Sequence, residues 1–201
     1  MKTKKMIALI LLSVLALSCQ QKEIYNELTE AQKQLIPYEL GRVVSFIDNI
    51  TEQVISFTVI RDTTIFWFDD CDYSRNCVIN EKRLVKLLSE LDNSAISLSL
   101  DANRNRLQIH TFHRYFDLDY DANAQFETVE QDSYKQYLRD SIEINNNMYY
   151  DVVDCISESG GSYNENGETI PANTAMQLFY NKSYGILQIK REGKNVLTIN
   201  Q

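Results

Sequence analysis

Glycine, histidine and tryptophan are scarce in this 201-residue chain, at six, two and one. The glycines form no glycine-rich loop of the kind that cradles phosphate, and the pair Gly160-Gly161 sits in a polar stretch. The two histidines, His110 and His113, leave few general bases, and no serine lies in a nucleophile-elbow motif. On a strand their spacing puts them on opposite faces, where they cannot share a metal. His110 shares a face with Gln108 and reads as a surface residue. Basic residues are outnumbered, 20 against 28 acidic ones, for a formal net charge of −8. An acidic body repels phosphate backbones, so nucleic acid is not an expected partner. No catalytic set and no cofactor site emerges, and a non-enzymatic role is expected.

Long apolar runs are also missing, with one exception at the start. Lys2, Lys4 and Lys5 precede an apolar run from Met6 to Leu17. Positive charge followed by a short apolar stretch is the pattern of a secretory signal. The run falls short of the ~20 residues a spanning helix needs. Two processing readings meet at its end. Ala16 and Ser18 suit ordinary signal peptidase, whereas Leu15-Ala16-Leu17-Ser18-Cys19 looks like a lipobox, with Leu17 a less usual choice. The second reading is favoured: Cys19 takes a diacylglyceryl group on its thiol and a further palmitate-class chain on its freed amine. One acyl chain holds marginally and several hold firmly. The division expected is residues 1–18 as leader, 19–27 as tether and 28–201 as one β-rich domain. The leader removes three lysines and no acid, so the mature body is more acidic still.

Within that domain, Thr29 with Gln32 three residues on resembles a capping box, opening a brief helix that stops before Pro37. Period-two runs dominate afterwards. Strands are expected over 42–47, 53–61, 63–68, 95–100, 107–111, 114–120, 138–144, 148–155, 175–181, 184–191 and 195–200. Asn145-Asn146 and Glu192-Gly193 suit hairpin turns. Residues 81–91 are ambiguous: Leu84, Val85, Leu87, Leu88 and Leu91 share a helical face, but the run sits among short strands and is read as strand. Residues 157–174 carry almost no apolar side chain and read as a long exposed loop. The fold class expected is all-β: an antiparallel meander forming a curved sheet, open barrel or sandwich, with a short N-terminal helix.

Cysteines and acids supply the candidate sites. With Cys19 lipidated, Cys71, Cys77 and Cys155 remain, and export permits disulfides. Cys71–Cys77 is the first choice, although Cys155 could pair with either. Asp70, Asp72, Ser74 and Glu81 occupy positions 1, 3, 5 and 12 of a calcium loop. Arg75 stands where that loop needs glycine, and a strand leads in where a helix is usual. The alternative is an acidic, solvated loop stapled by cysteines. Asp117, Asp119 and Asp121 form a second cluster of alternating carboxylates, without a distal acidic ligand.

Ile36-Pro37-Tyr38-Glu39-Leu40-Gly41 followed by Phe46, and the tail from Phe179-Tyr180-Asn181 to Ile189-Lys190, resemble small lipoproteins of Bacteroidetes-type bacteria. The resemblance implies an outer-membrane or surface address and a mostly β domain; it implies no activity and no site residues. Asp62-Thr63-Thr64 and Asp140-Ser141-Ile142 resemble triplets glycosylated on exported proteins of such bacteria. The expectation is a lipid-anchored protein of the cell envelope, a binding or structural module. Its partners would be the membrane, through the N-terminal lipid, and an envelope protein, glycan or apolar ligand. A carrier of an apolar ligand or lipid in a half-barrel is the alternative, ahead of a hydrolase.

Overall fold

Side chains that alternate apolar and polar along a strand must turn one face inward, and this chain does so repeatedly. The computed structural model describes residues 22–71, 76–111, 114–131, 134–157, 176–191 and 194–200. These form thirteen strands and one short helix. In chain order they are β1 (Lys22–Asn26), α1 (Glu30–Lys33), β2 (Val43–Asp48), β3 (Gln53–Cys71), β4 (Asn76–Ser89), β5 (Ala95–Asp101), β6 (Arg104–Thr111) and β7 (Arg114–Asp119). Then come β8 (Val129–Glu130), β9 (Tyr134–Ile144), β10 (Asn147–Ser157), β11 (Met176–Asn181), β12 (Gly185–Arg191) and β13 (Lys194–Ile199). The all-β class expected from the sequence is what the structure has. Lys22–Asn26, read from sequence as part of the tether, is instead the strand β1. The expected loop at 157–174, apart from Ser157 in β10, and the turn Glu192-Gly193 lie outside the described residues.

The topology is a meander. Strands β2 to β7 each pair antiparallel with the next, as do β8 to β13, and β13 returns beside β2. The resulting single sheet is nearly closed into a barrel. Local chemistry makes the turns: Asn145 and Asn146, with φ of 51° and 63°, give the doubly left-handed turn that joins β9 to β10.

Register sets the interior. Across β4 to β7, Val85, Leu98, Ile109 and Phe116 form one inward row, and Leu100, Leu107 and Leu118 the next. On β3 the inward residues are Ile55, Phe57 and Val59, until the register shifts between Val59 and Arg61. That bulge flips the parity, so beyond it Asp62, Thr64, Phe66 and Phe68 share the inward side. Two strands expected at 53–61 and 63–68 are therefore one strand of 19 residues with a bulge. Residues 81–89 are strand, as favoured: Val85 and Leu87 are buried, Leu84 and Leu88 line the outer side, and Leu91 is exposed beyond the strand end.

A segment ahead of the barrel fills it. Thr29 caps α1 with the expected capping box, in which its hydroxyl accepts from the Gln32 N–H and the Gln32 side chain accepts from the Thr29 N–H. The chain then lays Leu28, Leu35, Ile36 and Tyr38 into the core. Two charged residues on the inward side of β4 hold this plug. The Arg83 guanidinium donates to the carbonyls of Lys33 (2.6 Å), Ile36 (3.1 Å) and Tyr38 (3.0 Å), and pairs twice with Asp62 at 2.9 Å. Glu81 accepts from the Leu28 N–H at 2.8 Å and pairs with Lys33 at 3.1 Å. On the far side, the Tyr180 hydroxyl donates to the Leu35 carbonyl and the Tyr38 hydroxyl accepts from the Ile186 N–H. Gly185, at φ +82°, gives way to Tyr38: a Cβ there would sit 2.1 Å from the phenol oxygen.

Two outcomes are expected. Gly41→Ala, where a Cβ meets nothing within 4 Å although φ is +83°, costs only the left-handed strain of about 1–2 kcal/mol. Gly185→Ala adds overpacking against Tyr38 of about 1–3 kcal/mol, and urea midpoints of the two variants measure the gap. Arg83→Met takes the guanidinium from the Asp62 carboxylate and from the Ile36 and Tyr38 carbonyls and costs about 3 kcal/mol in the same assay. A midpoint unchanged in Arg83→Met contradicts the role given to the guanidinium.

Candidate functional site

Past the bulge, β3 and β4 run on together as an arm whose third strand is β5 and, further out, β1. Strand β5 leaves β4 at Lys82, opposite Asp101, and β1 takes its place. Cys77, five residues further along, is about 17 Å beyond that point at the rise of a strand. β1 pairs parallel to β4, from Lys22 opposite Asn76 to Asn26 opposite Asn80. Its N-terminal end therefore lies at the arm's outer end, and the Asn26 amide donates to the Asn80 side chain at 2.7 Å near the base.

The flanking strands of the arm carry exposed apolar side chains, while Cys77, Ile79 and Asn80 of the central β4 are buried. Tyr25, Phe66, Trp67 and Phe68 are 55%, 54%, 57% and 65% exposed, with Ile24 and Ile65 also exposed beside them. Register places Tyr25, Phe66 and Phe68 on the side that faces inward in the barrel, and Ile24, Ile65 and Trp67 on the other. Tyr25 and Phe66 meet edge to face at 6.5 Å. Four neighbouring aromatics, each able to bury about 150–250 Å², exceed the scattered apolar exposure normal for a water-facing surface.

A second constellation lies at the barrel seam, where β7 meets β9 and β10. Arg106 pairs with Asp119 at 2.6 Å and Asp117 at 3.2 Å, and donates to Tyr134, whose hydroxyl in turn donates to Asp119. The hydrogen bond to Asp119 comes first among the causes that raise the Arg106 pKa. The buried Gln136 amide accepts from the Asp119 N–H at 2.9 Å, and donates to the Asp119 and Glu127 carbonyls at 2.8 and 2.6 Å. It extends the backbone ladder across the gap. Behind it the free Cys155 thiol, 3.7 Å from the Asp117 carbonyl, is buried; burial, with Asp117, Asp154 and Asp119 adding to it, pushes its pKa up to about 12. A thiol so held stays protonated and unreactive.

The other sequence candidates separate in space. Asp72, Ser74 and His113 lie outside the described residues. Glu81, the twelfth position of the calcium pattern, lies mid-strand in β4 and is occupied with Leu28 and Lys33. Asp117 and Asp119 do share a face, where Arg106 bridges them. Asp121 instead accepts from the N–H groups of Asn123 and Gln125 in the turn after β7. Cys71 and Cys77 stand opposite each other where the arm ends. His110 stacks on Tyr115 at 4.3 Å in a cleft of about 240 Å³, shared with Arg61, Lys86 and Gln108 on the outer face. A second cleft, of about 390 Å³, is lined by Phe126, Asp140, Asp151 and Lys182. Among the described residues no group of three metal-ligating side chains converges. Thr63, Thr64 and Ser141 of the glycosylation-like triplets are exposed, while Asp62 is committed to Arg83.

The arm was not read from the sequence as a site, although its signal is there. Ile65-Phe66-Trp67-Phe68 is apolar at every position, which in a strand means both faces are apolar.

Burial also sets a pH limit. The Tyr120 phenol, raised by burial to about 12, behaves as Cys155 does. In the unfolded chain these groups lose protons near their ordinary values of 10.0 and 9.0, while the folded protein keeps them. The native state then binds more protons than the unfolded one, so the stability is whole below about pH 9 and falls as pH rises toward 12. Urea midpoints at about pH 8 and pH 10.5 should show the drop, and native Cys155 should resist iodoacetamide until the chain unfolds. Equal midpoints contradict this reading. No protein-family model, curated protein or solved structure matches the chain.

Proposed function

We propose that this chain is an exported lipoprotein, anchored by acyl chains on Cys19, whose barrel acts as a non-enzymatic binding or structural module of the cell envelope. The address is that of the outer membrane. The leader pattern supports the export. One observation carries the rest: an exposed aromatic arm at the end of the fold from which the chain runs back to Cys19. A binding module needs an unsatisfied surface, and this is where the protein has one.

Two other readings have less behind them. The plug's Leu35, Ile36 and Tyr38 occupy interior volume that an apolar cargo would need, so a carrier is not proposed. A hydrolase needs convergent, unspent carboxylates, and Asp117 and Asp119 are paired with Arg106. We also propose that Cys71 and Cys77 are joined, because register sets them opposite each other and the export compartment is oxidising.

Intact mass of protein extracted from its native membrane tests both proposals. The expected mass lacks the leader, carries the acyl chains, and rises by two hydrogens on reduction. A retained leader or an unmodified Cys19 would falsify the lipoprotein reading. A mass unmoved by reduction removes the disulfide alone.

A further inference from the structure

We propose that the β3–β4 arm docks in the headgroup–acyl boundary of the bilayer that holds the Cys19 lipid, with Tyr25, Phe66, Trp67 and Phe68 as the embedded side chains. This rests on the lipoprotein reading and gives it a second contact.

Three observations select the bilayer over a protein partner. The first is position. β1 runs outward along the arm when followed toward its N-terminus, and Lys22 stands opposite Asn76 at the outer end. Three peptide links join Lys22 to Cys19, which confines the lipidated residue to about 11 Å from Lys22. Acyl chains on Cys19 therefore enter the membrane beside the aromatics, and the arm cannot stand far from the surface. The second is the distribution of apolar groups. Phe66, Phe68 and Tyr25 are exposed on one side of the arm, and Trp67, Ile65 and Ile24 on the other. A rigid partner seated on one side leaves the other in water, whereas a fluid boundary wraps both. The third is residue type. Tryptophan and tyrosine carry an apolar ring with a polar edge, and they concentrate at the depth where acyl chains meet headgroups.

Charge defines the membrane. The sequence between Phe68 and Asn76 holds Asp69, Asp70 and Asp72 against one arginine, Arg75. Carboxylates so near the aromatics keep the arm at headgroup level and favour zwitterionic lipid.

Trp67 is the chain's one tryptophan, so its fluorescence reports the arm directly. The test reconstitutes native full-length protein into phosphatidylcholine–phosphatidylethanolamine vesicles, with bromine on the acyl chains of one set. Flotation reports the anchor and quenching reports the arm. The expected result is flotation with Trp67 blue-shifted and quenched by about half, the depth expected of an interfacial ring. Phe66→Ser with Phe68→Ser replaces two exposed rings, leaves the barrel intact, and should remove most of that quenching while flotation persists. Flotation with Trp67 red and unquenched overturns the docking and leaves the anchor standing. A blue-shifted but unquenched Trp67 means that protein, a second copy or another chain, covers the arm, and also overturns it. Quenching in a chain whose mass shows no lipid overturns the lipoprotein reading and leaves the docking in place.

Discussion

The fold depends on one guanidinium. A circuit of twelve strands is wider than strand side chains alone can fill, since about eight already bring opposite walls into contact. Something must enter, and what enters here is irregular chain whose carbonyls have no ladder to join. Buried carbonyls without donors cost about 1–3 kcal/mol each. Arg83 answers three of them with one side chain, and Asp62 balances its charge. Glu81, two residues earlier on the same side of β4, does the complementary work by accepting the Leu28 N–H. An inward-pointing charge pair on a central strand is thus the condition for the interior to be solid.

The same economy closes the seam. Among the described residues no strand pairs with the outer edge of β7, which is the usual hazard of a sheet edge. Gln136 meets it with a side-chain amide, which mimics a peptide and bonds both the N–H and the carbonyl of Asp119. Arg106, Tyr134 and the two aspartates cover the outer side. The acids that looked like a candidate metal cluster serve as the latch of the barrel, and the Cys155 thiol lies sealed behind it.

Patterning made the class of fold and most of the strands legible, because burial on one face writes itself into period two. The helix was legible from Thr29 and Gln32, whose spacing has a local cause. Three features were not. The bulge at Val59–Arg61 breaks parity, so one long strand reads as two. Glu81 reads as the last position of a calcium pattern and Arg83 carries no reading, because the plug that engages both lies some fifty residues earlier. β1 reads as a tether because Lys22-Glu23 and Asn26 are polar, and its pairing with β4 is set by the arm. In each case the missing information is a contact distant in the sequence.

That last pairing governs what the molecule can do. A parallel partner on β4 is costly to form in sequence terms and adds few side-chain contacts, since Ile24 and Tyr25 remain exposed. What it does fix is direction: the N-terminal end of β1 lies at the end of the arm and not at the barrel wall. On the lipoprotein reading proposed above, a lipid attached there would stand near Trp67 and Phe68, and the length of the arm would hold the acidic barrel away from the surface. Were β1 antiparallel, or paired at the wall, the same lipid would draw the barrel's carboxylates toward the headgroups and leave the aromatics in water. If the arm docks as proposed, the orientation of the five residues of β1 decides which surface of the protein would meet the membrane.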